Sequence, residues 1–359
     1  MKNVASGNLS GEVFFNTLGQ SGTSKISNQV IRPQITINGN GSELSNDAVL
    51  KNKAKRKTIT QKVILSLIKV ATKKGQTERI QPYRNTYYCQ NSLITTGSRQ
   101  YGKFCKSRIC TGCCANRKGE TINNYLPIIE TWEEPYFVTL TVRAVPAHRL
   151  KFMIEKGLIR ALKIIINRHK KRNQRRKGIK LVGIKSLECN FNPIKRTYNP
   201  HIHLIVANKE MADILINDWL ALWTIKFASI KGQFSRPVLD TQNDLVETIK
   251  YGSKIFTDPL MRKKSKQKIT PYIYVSALNN ILWAMKDHRI FGSFGFYLPK
   301  TNKSKGRKEK TVINYDEWQF SSKKADWVNI DDANKLLTGY VLTSELKDIL
   351  NNNIDEVLE

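Results

Sequence analysis

The chain has 359 residues, which is enough for one large domain or for two smaller domains with their own cores. It carries 60 Lys and Arg against 29 Asp and Glu, a formal net charge of +31, and 40% of its residues are hydrophobic, enough for a globular fold. The charge indicates a polyanionic partner, with nucleic acid as the first candidate, although membrane surfaces also attract basic proteins. No apolar run approaches ~18 residues and no signal-peptide pattern is present, so we expect a cytoplasmic protein without membrane contact.

Residues 1–80 are predicted to form a flexible basic arm with one short helix. Positions 1 to 60 are rich in Ser, Asn, Gly, Thr and Lys and show no periodic apolar pattern. The basic run at residues 51–57 suits a contact with phosphates and a solvated linker equally well. Apolar residues at helical spacing between positions 61 and 73 predict the short helix.

Residues 81–125 hold five of the six cysteines and form a predicted cysteine-rich module. The spacing Cys89-x15-Cys105-x4-Cys110-x2-Cys113 suits four thiolates around a tetrahedral structural zinc, and reduced cysteines without a metal are the alternative. Cys114 is a possible substitute for Cys113, because adjacent residues cannot easily ligate the same ion. Basic residues around the module are candidate DNA contacts: Arg108, Arg117 and Lys118.

The next segments predict alternating strands and helices. Residues 135–143 are β-branched and alternate, so they predict a strand with Phe137, Thr139 and Thr141 on one face. Residues 148–171 have the apolar spacing of an amphipathic helix. A basic block follows this helix, and its candidate phosphate contacts are Arg175 and Arg176.

Two histidines separated by one aliphatic residue are the main chemical signal. In a strand at residues 199–206, His201 and His203 point to the same face, and two imidazoles on one face are a ready pair of metal ligands. Two solvated or hydrogen-bonded histidines are the alternative. Residues 181–191 predict another strand, and the polar connector suits a hairpin that can bring Glu188 beside either histidine. One acid and two imidazoles with open positions suit Mg²⁺ or Mn²⁺ engaged with a phosphate.

The remainder of the chain predicts further helices, an edge strand and a tail of opposite charge. Helices are expected at 209–227, 243–254 and 272–285, and a short edge strand at 233–239. Glu247, Tyr251 and Lys254 would share one face of the second helix, although Gly252 weakens or ends it. Residues 301–359 are predicted to be a basic linker and an acidic tail with one helix near 343–351.

These groups together suit phosphoryl transfer to a tyrosine. A tyrosine hydroxyl is a weak nucleophile at its free pKa of ~10, but a metal-polarised phosphate makes it competent. The product would be a phosphotyrosyl–DNA ester with a free 3′-hydroxyl. The carboxylate of Glu247, one helical turn from Tyr251, could activate water or a second hydroxyl as a general base.

Three motifs resemble those of the rolling-circle replication initiators of small bacterial plasmids, which are HUH endonucleases. They are FVTLTV at residues 137–142, PHIHL at 200–204, and Glu247-x3-Tyr251-x2-Lys254. The order is similar as well, because the tyrosine follows the histidines, whereas it precedes them in conjugative relaxases. The cysteine module with the following NRK at 116–118, and a later segment that contains Arg289 and ends at Gly295, are also similar to this family.

The resemblance, which covers about residues 85–297, implies an α+β fold and a single-tyrosine nuclease. Residues 126–300 would form an HUH-like endonuclease domain with an antiparallel sheet, helices on one side and the metal site on the open face. Tyr251 would nick one strand at the origin and Glu247 would serve termination by activating water, with Lys254 completing motif three and Arg289 as a candidate DNA contact.

The implied partners are origin DNA, single-stranded or as a hairpin, and a host helicase, because the chain has no Walker motif. A homodimer is compatible with this interpretation. Two alternatives stay open. A transposase or mobilisation relaxase of the same superfamily would use the same chemistry on another substrate, and a non-catalytic, zinc-containing DNA-binding regulator would explain the charge and the cysteines alone.

Overall fold

A computed structural model describes residues 34–38, 41–44, 47–249, 271–299, 309–344 and 346–347. The chain divides into two compact units. Unit 1 takes in Met1–Thr58, Tyr87–Cys105 and Lys300–Thr343, and unit 2 takes in Ile59–Thr86, Lys106–Pro299 and Ser344–Glu359. This division differs from the four consecutive segments expected from the sequence, because unit 1 draws on three separate parts of the chain.

The secondary structure is mixed. The described residues contain the strands β1 Ile35–Asn38, β2 Ser42–Glu43, β3 Ser92–Thr96, β4 Arg99–Tyr101, β5 Tyr136–Thr141, β6 Gly183–Asn192, β7 Thr197–Val206, β8 Phe234–Pro237, β9 Phe291–Phe294, β10 Glu309–Val312, β11 Asp316–Ser321 and β12 Asp326–Asn329. They also contain the helices α1 Asp47–Lys73, α2 Ile80–Tyr87, α3 Thr111–Ile129, α4 Ala147–Phe152, α5 Arg160–Gln174, α6 Lys209–Leu222, α7 Thr241–Thr248 and α8 Pro271–Ala284. Among these helices, none is both long enough and apolar enough to cross a bilayer.

Unit 2 is built on a five-stranded antiparallel sheet with the strand order β8-β5-β7-β6-β9. The predicted strands at 135–143, 181–191 and 199–206 are confirmed as β5, β6 and β7, and the last two form the expected hairpin. The short strand β8 lies at one edge, where Pro237, which has no backbone N–H, can be tolerated.

Helices cover both faces of this sheet. One face buries Val138, Leu140 and Leu204 in a cluster with apolar residues of α4, α5, α6 and α8. The other face contributes Phe137 and Ile205 to a smaller cluster with residues of α3 and α7. The expectation of helices on one side and an open opposite face is therefore wrong, because the apolar sides of α3 and α7 need the second face for burial.

The predicted helix at 148–171 is one continuous helical segment made of α4, a π-helical stretch at Met153–Ile159, and α5. Its apolar stripe belongs to the larger cluster on the sheet. The predicted helix at 272–285 is confirmed as α8, whereas the one expected at 209–227 ends earlier, at Leu222. Of the helix expected at 343–351, most residues lie outside the described part of the chain.

Unit 1 contains a five-stranded sheet with the order β12-β11-β3-β4-β2 and a separate pair of β1 with β10. Trp318, Phe320 and Trp327 of the C-terminal region form a buried cluster with Leu93 of β3 and Ala54 of α1. Two expectations fail here. The supposed arm already becomes helical at Asp47. Residues 309–329, in the segment expected to be a basic linker and an acidic tail, form three strands, and the aromatic side chains of β11 and β12 supply a core.

Candidate metal centre

Three metal-ligating side chains meet on the hairpin of β6 and β7. Glu188 lies directly opposite His201 in the strand register, and Ser186 lies opposite His203. The Nε2 atoms of His201 and His203 are 3.1 Å apart, and Glu188 Oε2 lies 3.7 Å and 3.5 Å from them, respectively. The sequence allowed Glu188 to lie beside either histidine; the structure brings it close to both, and the strand register pairs it with His201.

These separations suit a shared ion. Two ligand atoms that each lie about 2.1 Å from one ion, at right angles to each other, are about 3.0 Å apart. The separation of 3.1 Å between the two imidazole nitrogens is close to that value, and the carboxylate oxygen lies only slightly further away. The donor set of two imidazoles and one carboxylate is compatible with a divalent metal.

The far side of each imidazole is fixed by a hydrogen bond. His201 Nδ1 lies 2.9 Å from the backbone oxygen of Asn199, which can only accept, so Nδ1–H donates and Nε2 of the neutral ring keeps its lone pair. His203 Nδ1 lies 2.9 Å from Thr139 Oγ1 on β5. If Nδ1–H donates to this hydroxyl, Nε2 of His203 is also free to bind a metal.

The site is enclosed. The exposed fractions of Glu188, His201 and His203 are 5%, 4% and 8%. Burial raises the pKa of Glu188, but hydrogen bonds and positive charge from the two imidazoles in their protonated form outweigh burial, and the net pKa lies below its ordinary value. Glu188 is therefore ionised at neutral pH, which is the form that binds a cation. The expectation that these residues lie on a wet, open face is wrong.

Helix α7 lies on the same face of the sheet as the three metal-ligating candidates. Leu245 and Ile249 belong to the cluster that contains Phe137 and Ile205, and Ile205 follows His203 on the same face of β7. Glu247 lies near the end of α7 and is partly buried. Tyr251 and Lys254, which were expected to share its helical face, lie outside the described residues.

An ion pair and a stacked ring connect α7 to the histidines. Both nitrogens at the end of the Arg236 side chain on β8 donate to the two carboxylate oxygens of Asp244 on α7. The Arg236 guanidinium lies 5.2 Å from the centre of the Phe137 ring, which in turn lies 5.3 Å from the His203 ring. The hydrogen bond to Asp244 raises the pKa of Arg236. This pair could not be predicted from the sequence, because it depends on the turn between β8 and α7 that brings Arg236 beside Asp244.

The cysteine cluster contains the four predicted residues. One sulfur from each of Cys89, Cys105, Cys110 and Cys113 lies within 4.8 Å of the others, and sulfurs around one zinc lie about 3.8 Å apart. The backbone N–H of Cys105 donates to Cys89 Sγ, and that of Cys113 donates to Cys110 Sγ, at 3.3 and 3.5 Å. These contacts favour thiolates, so the cluster is compatible with structural zinc.

Cys114 has a different environment from Cys113. Its sulfur donates to the backbone oxygen of Arg108 at 2.9 Å, and burial raises its pKa to about 11. Zinc binds the thiolate form, and the group of four close sulfurs contains Cys113 but not Cys114. The structure therefore favours Cys113 over Cys114 as the fourth ligand, which the sequence had left open.

The basic residues singled out in the sequence have different surroundings. Arg108 donates to the backbone oxygens of Met285 and His288, so it stabilises the fold of unit 2 rather than pointing freely to solvent. Arg117 donates to the backbone oxygen of Lys106 and is partly exposed, as is Lys118. Among the basic residues singled out in the sequence, Arg175, Arg176 and Arg289 are exposed, and they stay candidate phosphate contacts.

Comparisons with protein-family models, with curated proteins and with solved structures find no match to this chain.

Proposed function

We propose that this protein is a metal-dependent endonuclease that cuts and rejoins one DNA strand, and that it initiates rolling-circle replication of a plasmid. The observation that carries the proposal is the enclosed group of Glu188, His201 and His203, with two imidazole nitrogens 3.1 Å apart. The net charge of +31 and the resemblance of the three motifs support a DNA substrate.

Glu188, His201 and His203 would hold Mg²⁺ or Mn²⁺, and the bound ion would polarise the scissile phosphate and offset its negative charge. Tyr251 would then attack the phosphorus atom. The bond between Tyr251 Oη and phosphorus forms while the bond between phosphorus and the 3′ oxygen breaks. The tyrosine loses its proton, the departing 3′ oxygen gains one, and the 5′ phosphate stays attached to the protein.

The position of α7 supports Tyr251 as the nucleophile. Ile249 is 3% exposed and belongs to the apolar cluster on the face that carries the two histidines. Tyr251 follows two residues later, and two residues span at most about 7 Å. Tyr251 itself lies outside the described residues, so its support is this short spacing in the sequence from a buried position on the histidine face.

Glu247 is the proposed general base for termination. In this role its carboxylate accepts a proton from water, which attacks the second phosphate and releases the DNA. Glu247 lies close enough to Arg236 for its charge to help raise the pKa of that guanidinium. Lys254 would complete the same motif, and the cysteine cluster would hold a structural zinc.

The test is a nicking assay on single-stranded origin DNA with Mn²⁺. Tyr251→Phe should abolish cleavage and the covalent adduct while DNA binding persists, because the ester needs the hydroxyl oxygen. Tyr274→Phe is a matched control, since Tyr274 packs edge-on against Phe191, and this variant should cleave normally. A covalent adduct that persists in Tyr251→Phe would assign the nucleophile elsewhere.

The same assay separates the alternatives. A transposase or mobilisation relaxase would form the adduct on the ends of an element or on a transfer origin, but not on the double-strand origin. A regulator without activity would bind DNA and zinc and form no adduct on any of these substrates.

A further inference from the structure

Ser186 is a buried polar residue with no assigned role. It lies on β6, its exposed fraction is 0%, and within the described residues its hydroxyl has no hydrogen-bond partner. A buried hydroxyl without a partner destabilises a fold, because it loses its hydrogen bonds to water and gains none in return. Such a group in a folded protein calls for an explanation, and an ion or an ordered water molecule is a common one.

The strand register places Ser186 beside the candidate metal centre. Ser186 lies directly opposite His203 and two residues before Glu188, so all three side chains share one face of the hairpin. Thr139 lies opposite His203 on its other side, in β5. His203 is therefore flanked by one hydroxyl from each neighbouring strand.

The two hydroxyls are not equivalent. Thr139 Oγ1 is within 2.9 Å of His203 Nδ1 and occupies that nitrogen. The other ring nitrogen faces His201 and Glu188, at 3.1 and 3.5 Å. Both nitrogens of His203 are thus in use, and the hydroxyl of Ser186 is not needed to orient the ring.

We propose that Ser186 Oγ holds a water ligand of the divalent ion that Glu188, His201 and His203 bind. This inference rests on the metal site of the proposed function. Three protein ligands leave positions open on a six-coordinate ion, and Mg²⁺ in particular keeps several waters. A hydroxyl can accept a hydrogen bond from such a water, and this bond would satisfy the group that the protein alone leaves unsatisfied.

The test uses Ser186→Ala and Mn²⁺ alone, without DNA. Isothermal titration with Mn²⁺ should show affinity weakened roughly 10-fold, the lower end of what loss of such an outer hydrogen bond costs a metal site. Thermal unfolding of the metal-free variant should occur at the wild-type temperature or above, because the substitution removes an unsatisfied buried hydroxyl. The stabilisation that saturating Mn²⁺ gives the wild type should shrink in the variant.

Ser66→Ala is the matched control. Ser66 is equally buried, but its hydroxyl donates to the backbone oxygen of Lys62 within α1. This variant should keep wild-type Mn²⁺ affinity.

Wild-type Mn²⁺ affinity in Ser186→Ala would overturn the inference. So would a substitution that lowers the unfolding temperature of the metal-free protein, relative to the wild type, as much as it lowers that of the metal-loaded protein. If the wild type and His203→Ala bind Mn²⁺ equally poorly, the metal site itself is absent and both proposals fail. A Ser186-dependent Mn²⁺ site in a protein that forms no DNA adduct would leave this inference standing and refute only the nuclease.

Discussion

At the scale of single residues, the state of each imidazole depends on one neighbour. The backbone oxygen of Asn199 can only accept, and it therefore fixes the proton on Nδ1 of His201. The hydroxyl of Thr139 can either accept from or donate to Nδ1 of His203. The two Nε2 atoms are only 3.1 Å apart, so a proton on one of them forms a hydrogen bond to the other when no ion is bound. An ion can bind only when both nitrogens are free of protons.

Thr139→Val should therefore weaken metal binding. Valine keeps the branched shape of the strand residue but cannot accept the proton of His203 Nδ1, so the ring loses the partner that frees Nε2. We expect roughly 10-fold lower Mn²⁺ affinity by titration. Thr141→Val is the control, because its hydroxyl donates instead to the backbone oxygen of Gly232 at 2.7 Å, and its Mn²⁺ affinity should not change.

The cysteines offer a comparison between neighbouring positions. Cys110→Ser removes a member of the four-cysteine cluster, whereas Cys114→Ser removes a thiol that donates to a backbone oxygen. We expect metal analysis to find about one zinc per chain in the wild type and in Cys114→Ser. Cys110→Ser should contain much less zinc. Equal zinc content in both variants would show that the cluster does not bind it.

Much of this residue-level chemistry follows from sequence spacing. The period of two residues in a strand was sufficient to place His201 and His203 on one face. The partner of Glu188 could not be predicted, because it depends on how many residues of the connector form the turn. The roles of Thr139 and Ser186 could not be predicted without the pairing of three strands. The alternation within FVTLTV nevertheless placed Thr139 on the same face as Phe137 and Thr141.

At the scale of elements, one short helix connects the metal-ligating group to the rest of the proposed site. α7 has only eight residues, and an isolated helix of this length is unstable in water. Two features stabilise this helix in the folded protein. Leu245 and Ile249 are buried in the cluster on the histidine face, and the carboxylate of Asp244, which is 7% exposed, pairs with both terminal nitrogens of Arg236.

Reversal of one charge in this pair should loosen α7 without removing the metal site. We expect Asp244→Arg to increase amide hydrogen exchange in α7 and to lower the rate of DNA cleavage at saturating Mn²⁺ at least 10-fold, because a misplaced nucleophile loses its alignment. Mn²⁺ affinity should change little. The double variant Arg236→Asp/Asp244→Arg should recover part of the cleavage rate, and no recovery would indicate that the pair does not position α7.

Elements with strong periodicity were predicted well, and those that depend on distant partners were not. β5, β6, β7 and α5 carry clear alternation or helical spacing within one segment. In contrast, β10, β11 and β12 are short and lie in a segment that was expected to be a basic linker and an acidic tail. Trp318 becomes a core residue only when it is paired opposite Leu93, which is remote in the sequence.

At the scale of the whole molecule, the excess of positive charge should govern DNA binding. Each phosphate neutralised on a single strand contributes a slope of roughly −0.7 to the dependence of log affinity on log salt. With about five contacts, affinity should fall roughly 100-fold between about 50 and 200 mM salt. Fluorescence anisotropy with single-stranded origin DNA measures this slope, and a flat response would mean that the charge serves another partner.

A single exposed arginine can be tested in the same way. Arg175→Gln should reduce the slope by about 0.7 if this arginine contacts a phosphate. The matched control is Lys323→Gln, which removes one charge from the exposed turn between β11 and β12 in unit 1. This variant should leave the slope unchanged.

The separated segments of unit 1 have a consequence for synthesis of the protein on the ribosome. All strands of the sheet in unit 2 lie between Tyr136 and Phe294, so that sheet can close before the chain is finished. β3 must wait for β11, which is translated on the order of ten seconds or more later at typical elongation rates. During this interval the nascent chain exposes the edge of β3 and the apolar Leu93, and it is then most exposed to aggregation and most dependent on chaperones.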